Sequence, residues 1–187
     1  DAVVSNAGIT SPAPLIDLSV SKWDKLLNVN TRATLLLAQA AYPALKESKG
    51  ALVAVASMSG MGAHPGMGAY SPSKAALISL CQVLAQEWAC DGINVNTVSP
   101  GMIRTPLTQK VYENNQIAKE RAALVPWGRV GNPEDISNVI SFLLSPEANY
   151  ITGQNILVDG GFVDSLYRHI PGLPDSSEID KTERIKL

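Results

Sequence analysis

The chain alternates between short apolar segments and longer stretches with helical spacing, and this order constrains its fold more than any other feature. The apolar segments are AVVS (2–5), ALVAVAS (51–57), INVNTVS (93–99) and NILVDG (155–160), each bounded by Gly, Pro, Asn or Asp. Segments of this kind are typical of buried strands. Strands that alternate with helices form parallel sheets covered on both faces. The sequence therefore predicts an α/β fold with a doubly wound parallel sheet.

The intervening stretches carry apolar residues at intervals of three and four, which predicts helices. They span residues 19–48, 69–92 and 132–146. Gly92 is expected to cap the end of the second stretch. Asn132 is expected to cap the start of the third, with Pro133 at its first helical position.

Three turns rich in small residues follow the first three predicted strands. They are VSNAG (4–8), VASMSG (55–60) and VSPG (98–101). In open α/β sheets the carboxyl ends of the strands lie along one rim, where ligands bind. The order of elements alone therefore predicts a binding site along this rim.

The composition favours one domain, or most of one, and argues against several functions. An apolar content of 45% in 187 residues is enough to bury a sizeable core. Charged residues make up only 17%, the net charge is -2 and no dense Lys/Arg run occurs, so no nucleic-acid or membrane partner is expected. His64 and His169 are the only histidines, so no metal site is expected. Two cysteines, Cys81 and Cys90, fit a reducing compartment and favour a cytoplasmic location.

Tyr70 and Lys74 lie four residues apart in a segment that is predicted to be helical. Positions i and i+4 project from the same helix face. A free tyrosine has a pKa near ~10, and a neighbouring cation lowers that pKa and makes the phenol a usable acid or base. The alternative is an ordinary Tyr/Lys pair on a solvated helix face.

Ser57 and Asn30 are two further candidates for the site. Ser57 ends the second predicted strand, thirteen residues before Tyr70, so we expect it on the rim near the start of the Tyr70 helix. Its other interpretation is a turn-forming serine. Asn30 lies inside a helical pattern, where asparagine is a poor helix former. Its other interpretation is a helix kink or a buried amide that bonds to backbone.

Taken together, these residues resemble the classical short-chain dehydrogenase/reductase family, in the style of 3-oxoacyl-carrier-protein reductases and sugar-alcohol dehydrogenases. The resemblance rests on Asn30, Ser57 and four motifs, which are SNAG (5–8), YSPSK (70–74), NTVSPGMIRT (96–105) and ITGQNILVDGG (151–161). It covers about residues 1–163. It implies a Rossmann-type fold and an NAD(P)-dependent oxidoreductase that interconverts a small carbonyl compound and a secondary alcohol.

The resemblance also implies catalytic roles. Tyr70 would protonate the carbonyl oxygen in reduction and act as the base in oxidation. Lys74 would lower the Tyr70 pKa and hydrogen-bond the nicotinamide ribose. Ser57 would hold and polarise the substrate oxygen, and Asn30 would support a water that relays protons from Lys74.

Besides Tyr70 and Lys74, the resemblance implies seven cofactor-binding residues. They are Asn6, Ala7, Gly8, Pro100, Gly101, Ile103 and Thr105. The first three would pack against the adenosine side of the cofactor, and Pro100 and Gly101 would close the nicotinamide pocket. Ile103 and Thr105 would contact the carboxamide. Ser5 stands where asparagine is common in the family, and we expect this difference to be tolerated.

The family's glycine-rich turn, GxxxGxG, does not occur before or directly after the first predicted strand; the one match to that spacing, Gly62-Gly66-Gly68, follows the second predicted strand. We therefore expect a βαβαβ half of roughly 80 residues to precede these strands in the complete fold. That half would hold the residue that separates NAD from NADP, so either cofactor fits, with NADP slightly favoured. Without it, residues 1–187 are expected to bind dinucleotide poorly. Gly60, Gly62, Gly66 and Gly68 are interpreted as a flexible segment beside the substrate pocket, with a phosphate-binding loop as the less favoured alternative.

The remaining expectations concern the lid, assembly and the tail. Residues 105–135 match a mobile substrate lid, with Met102, Leu107 and Tyr112 as candidate pocket residues. The helices around 23–45 and 69–88 are apolar on more than one face, and by resemblance they would form a homodimer or homotetramer interface. Residues 1–163 form the domain, and residues 164–187 form an arm or a disordered end.

Two other functions remain open at this point. One is a non-catalytic interaction protein derived from the family, and the other is a related enzyme with a non-redox reaction.

Overall fold

A computed structural model describes residues 1–170 of the chain. It contains one four-stranded sheet with the strand order β1-β2-β3-β4. The strands are β1 (Ala2–Ser5), β2 (Ala51–Val55), β3 (Asn94–Pro100) and β4 (Asn155–Val158). All three pairings are parallel. The predicted parallel α/β sheet is therefore confirmed.

The helices lie where the three-and-four spacing placed them, and two more follow β3. They are α1 (Val20–Leu27), α2 (Ala33–Ser48), α3 (Tyr70–Trp88), α4 (Gln109–Tyr112), α5 (Asn115–Leu124) and α6 (Pro133–Leu143). Residues Asn28–Arg32 form a π-helical turn between α1 and α2. Short 3₁₀ turns span Leu15–Asp17, Met58–Gly60, Ala89–Asp91, Pro146–Ala148 and Leu166–His169.

The predicted start of α6 is confirmed, whereas α3 ends at Trp88 and Gly92 caps the 3₁₀ turn that follows it. Asn132 is the N-cap of α6, Pro133 is its first residue, and the Asp135 carboxylate accepts a 2.7 Å hydrogen bond from the Asn132 N–H. Gly92 adopts φ 77° as it ends the turn after α3. A residue without a Cβ adopts this left-handed conformation at little cost.

Helices cover both faces of the sheet. On one face, α2 and α3 pack over Leu52 and its register partner Val95. On the other face, α6 packs over Val53 and Val98. Successive strand residues point to opposite faces, so Leu52 and Val53 contribute to separate cores. The doubly wound architecture is confirmed, and it leaves the carboxyl ends of the strands as a shared rim.

The two cysteines are free. Cys81 is buried on α3, and Cys90 lies in the 3₁₀ turn that follows it. None of the helices in residues 1–170 has the length and apolar character needed to cross a bilayer. Within the same residues, no three His, Cys, Asp or Glu side chains gather as metal ligands.

The predicted boundary at residue 163 stays a prediction. The structure describes the beginning of the predicted tail, which includes the turn Leu166–His169. Residues 171–187 lie outside the described residues.

Candidate active site

Ser57 lies on the rim immediately after β2. Its backbone is extended (φ -173°), and the chain then enters the Met58–Gly60 turn. The Ser57 Oγ accepts a 3.1 Å hydrogen bond from the Ser59 N–H, so the turn-forming role is real. Because this bond uses an acceptor site on Oγ, the Ser57 hydroxyl proton is still free to be donated.

Tyr70 and Lys74 lie in the first turns of α3, which begins at Tyr70. Lys74 is only 3% exposed, and its Nζ donates a 2.7 Å hydrogen bond to the Val55 carbonyl at the end of β2. The Lys74 Nζ is 6.0 Å from the centroid of the Tyr70 ring. The pair is therefore held against the strand end that leads into Ser57, and a solvated helix-face pair does not describe it.

Burial dominates the acid/base properties of both side chains. It lowers the pKa of Lys74 to about 8. It also raises the pKa of Tyr70 above its usual value, and a hydrogen bond with Ser57 lowers that pKa in part. This differs from the expectation that Lys74 lowers the Tyr70 pKa, because in this structure desolvation disfavours the phenolate more strongly than neighbouring groups favour it.

Asn30 lies in the π-helical turn and is 1% exposed. Its Oδ1 accepts from the Ile9 N–H at 2.8 Å, and its Nδ2 donates to the Ile9 carbonyl at 3.0 Å and to Ser73 Oγ at 2.9 Å. Asn30 therefore joins the turn after β1 to α3, as a buried and satisfied amide within an irregular helix. These bonds use both amide protons of Asn30 and one acceptor site of its Oδ1.

The turn after β1 comes close to the same lysine. Asn6, Ala7 and Gly8 are exposed on the rim. A Cβ added at Gly8 would lie 3.4 Å from Lys74 Nζ and 3.5 Å from Asn30 Oδ1. Ser5, the expected departure from the family, has a partner in Thr34, because their hydroxyl oxygens lie 2.7 Å apart.

The loop after β3 forms another part of the rim. A Cβ at Gly101 would meet Asp159 Cβ at 2.5 Å, so glycine permits the close approach of the β3 and β4 ends. Pro100 is the last residue of β3. Ile103 is buried at 8% exposure, and Thr105 donates its N–H to Thr108 Oγ1.

Two glycines of the cluster after β2, Gly60 and Gly68, are closely packed, whereas Gly62 and Gly66 have open space around them. A Cβ at Gly60 would lie 2.8 Å from the Lys74 backbone carbon, and one at Gly68 would lie 2.9 Å from the Ser11 carbonyl oxygen. At Gly62, by contrast, a Cβ would meet nothing within 4 Å. Gly60 therefore allows the turn after Ser57 to contact the helix that carries Lys74.

Replacing Gly60 with alanine is expected to destabilise the intact protein by about 1–3 kcal/mol, because a methyl group there forces α3 away from the turn. Urea unfolding measures the change. Gly62→Ala is the matched control and should unfold within about 0.5 kcal/mol of the parent. Equal stability of the two variants would show that the Gly60 contact is not tight.

A cavity of about 410 Å³ opens beside the residues that follow Ser57. It is lined by Met58, Ser59, Gly62, Ala63, His64, Met102, Arg121, Leu124, Phe162 and Val163. Of the predicted pocket residues, Met102 lines this cavity. Leu107 is 63% exposed, and Tyr112 is buried at 6% exposure outside the lining. The sequence reasoning missed Arg121 and Phe162, which no motif marks.

Comparison with known proteins agrees with this arrangement. Residues 1–163 match the sequence model of the family described as enoyl-(acyl carrier protein) reductase. The chain is 41% identical over 165 residues to the 3-oxoacyl-[acyl-carrier-protein] reductase of Thermotoga maritima, covering 87% of this chain and 66% of that protein. It therefore spans slightly less than two thirds of that relative.

Solved structures show the same fold. A 4-hydroxyisoleucine dehydrogenase complexed with NADH superposes with a TM-score of 0.83 at 36% identity, over 88% of this chain and 68% of that one. An Agrobacterium tumefaciens chain, solved with bound NADP as a candidate 2-deoxy-D-gluconate 3-dehydrogenase, gives 0.82 at 34% identity, over 88% and 68%. The family resemblance that the motifs carried is confirmed. This chain belongs to the classical short-chain dehydrogenase/reductase family.

Proposed function

We propose that the protein is an NAD(P)-dependent oxidoreductase that interconverts a carbonyl compound and a secondary alcohol at the rim beside Ser57. The observation that carries this proposal is the buried Lys74, bonded to the end of β2 one helical turn from Tyr70. Family membership supports the same reaction class. Tyr70, Lys74, Ser57 and Asn30 are the proposed catalytic group.

The residues on the rim fit a dinucleotide. The Lys74 ammonium has three donors, and one of them is used by the Val55 carbonyl. The remaining donors suit ribose hydroxyls, and the lack of a Cβ at Gly8 leaves room beside Nζ. Asn6, Ala7 and Gly8 are proposed for the adenosine side. Pro100, Gly101, Ile103 and Thr105 are proposed for the nicotinamide side.

When bound, the nicotinamide supplies or accepts the hydride, which leaves the protein to position the substrate and move one proton. Burial keeps Tyr70 protonated at neutral pH, which is the form that can donate a proton to a carbonyl oxygen during reduction. The Ser57 hydroxyl donates to the same oxygen and polarises the carbonyl. The Lys74 cation then favours the phenolate that remains after the proton leaves. Asn30 holds Ile9 and Ser73 in place, and it supports a water that relays protons from Lys74.

We also propose that the protein assembles through α2 and α3. Leu36, Leu37 and Val83 on these helices are exposed by 54%, 40% and 51%. Covering such residues favours association. A homodimer or homotetramer in a reducing, cytoplasmic compartment is the arrangement that these features and the two free cysteines support.

The proposed reaction is tested by incubating the intact protein with NADH or NADPH and a panel of small ketones, 3-oxo acids and keto sugars. We expect oxidation of the cofactor that depends on a carbonyl compound, with one of the two cofactors preferred. The absorbance of the reduced nicotinamide measures it. Binding of cofactor without turnover of any carbonyl in the panel would contradict an oxidoreductase for this substrate class.

A further inference from the structure

The cavity beside Ser57 has an uneven distribution of charge. Among its ten lining residues, Arg121 is the one side chain with a permanent positive charge, and none is acidic. His64 is the other ionisable side chain in the lining, and its Nδ1 lies 2.9 Å from the Ser59 Oγ. Most of the remaining wall is apolar and includes Met58, Leu124 and Phe162. A cation in a mostly apolar wall indicates that the expected ligand carries a negative group.

Arg121 is held in position by its neighbours on the lid. It lies in α5, and its guanidinium carbon is 5.6 Å from the centroid of the Tyr112 ring. Tyr112 is 6% exposed and therefore provides a fixed surface for stacking. Arg104 stacks on the same ring at 5.5 Å but does not line the cavity.

No carboxylate neutralises Arg121 within the described part of the chain, where the salt bridges are Lys46–Asp91 and Arg129–Asp135. Arg121 as a whole residue is half-buried. A guanidinium offers several donors in a planar arrangement that matches carboxylate and phosphate oxygens. Arg121 can therefore bind an oxoanion without first breaking an ion pair with the protein.

The cavity extends from Arg121 to residues that are adjacent in sequence to the proposed reacting centre. Met58 and Ser59 directly follow Ser57, and Met102 directly follows Gly101. A substrate whose carbonyl lies at Ser57 extends along these residues toward α5. At about 410 Å³, the cavity has the size of a small-molecule site.

We propose that Arg121 recognises an oxoanion, carboxylate or phosphate, on the substrate, so that the enzyme acts on anionic carbonyl compounds in preference to neutral ones. This proposal rests on the proposed function, because it places the carbonyl of the same substrate at Ser57. Arg121 acts in binding, and the proton transfer stays with Tyr70.

The test uses pairs of substrates in which one member carries an anionic group and its partner is neutral, with the intact protein and saturating cofactor. The carboxylate test compares each of several short 3-oxo acids with its methyl ester. The phosphate test compares dihydroxyacetone phosphate with dihydroxyacetone. We expect one anionic member to be reduced with a kcat/KM about 10- to 100-fold above its neutral partner. The pair that shows this preference identifies the anion as carboxylate or phosphate.

Arg121→Gln should abolish that preference, mainly by raising KM for the anionic member, and should change kcat/KM for the neutral member by less than about threefold. Arg104→Gln is the matched control, since it removes the other guanidinium on Tyr112, and it should keep the preference. Preference for the neutral members, or an equal loss on both members in Arg121→Gln, would overturn the proposal.

A binding measurement separates this proposal from the reaction itself. Calorimetric titration of the cofactor-bound protein with 3-hydroxybutyrate or glycerol 3-phosphate should give an affinity that Arg121→Gln weakens about 10- to 100-fold and Arg104→Gln preserves. That result supports anion recognition even if no carbonyl is turned over. Anion affinity unchanged in Arg121→Gln would refute it, whatever the activity assay shows.

Discussion

Replacing Tyr70 with phenylalanine is expected to lower the rate of carbonyl reduction at least ~100-fold while cofactor binding is largely kept. The ring is retained, so packing at the start of α3 is preserved and only the proton donor is removed. Burial keeps this phenol protonated, and Tyr70 is the only group that we propose as an acid at the substrate oxygen. Steady-state kinetics with saturating cofactor, together with a fluorescence titration of the dinucleotide, measures both quantities.

Tyr150→Phe is the control for this prediction, since Tyr150 is fully exposed and away from the cavity lining. It should reduce the same substrate at the parental rate. Near-normal turnover by Tyr70→Phe would remove Tyr70 from the chemistry. An equal loss of turnover and cofactor affinity would instead indicate a structural role.

Replacing Lys74 with methionine is expected to impair catalysis and, at the same time, to raise the stability of the protein. Turnover should fall by about 100-fold or more and dinucleotide affinity should also fall, because one cation serves both. Stability without cofactor should rise at neutral pH. Burial lowers the Lys74 pKa from 10.5 to about 8, which corresponds to about 3 kcal/mol of unfavourable free energy for the charged form. Loss of the bond to Val55 offsets about 1–2 kcal/mol of that gain.

The lowered pKa of Lys74 also determines how the stability of the protein depends on pH. Between pH 8 and 10.5 the unfolded chain binds a proton at Lys74 that the folded chain does not. The parent protein is therefore stabilised, relative to Lys74→Met, as pH rises through this window. Denaturant unfolding below and within the window should show the variant's advantage shrinking toward high pH. A variant that is less stable than the parent at neutral pH, with a difference that does not change with pH, would contradict the buried cation.

The sequence predicted the scaffold well, because the features that define it are local. Continuous apolar runs gave the four strands, and Pro133 after Asn132 placed the start of α6 at the observed residue. Two predicted strands were each two residues too long at their carboxyl ends. The predicted runs include Ser57 and Asp159, but in the structure β2 ends at Val55 and β4 ends at Val158. The local sequence pattern does not show where the hydrogen-bonded ladder between two strands ends.

The site was predicted less completely, because parts of it depend on contacts between distant segments. Asn30 was identified as unusual, yet its bonds to Ile9 and Ser73 could not be read from spacing. The raised Tyr70 pKa depends on the depth of burial, which the four-residue spacing does not reveal. Arg121 comes to the cavity only through the packing of α5 on the rim.

The most direct measurement of the central claim, that Tyr70 and Lys74 act as one acid/base unit, compares kcat for Tyr70→Phe, Lys74→Met and the double variant at saturating cofactor. When two residues act as one unit, removing either of them abolishes the contribution of both. The losses in kcat of the two single variants therefore do not multiply in the double variant. We predict that the double variant turns over within about threefold of the slower single variant. Losses that multiply in the double variant would show that the two side chains act independently, and the proposed unit would be wrong.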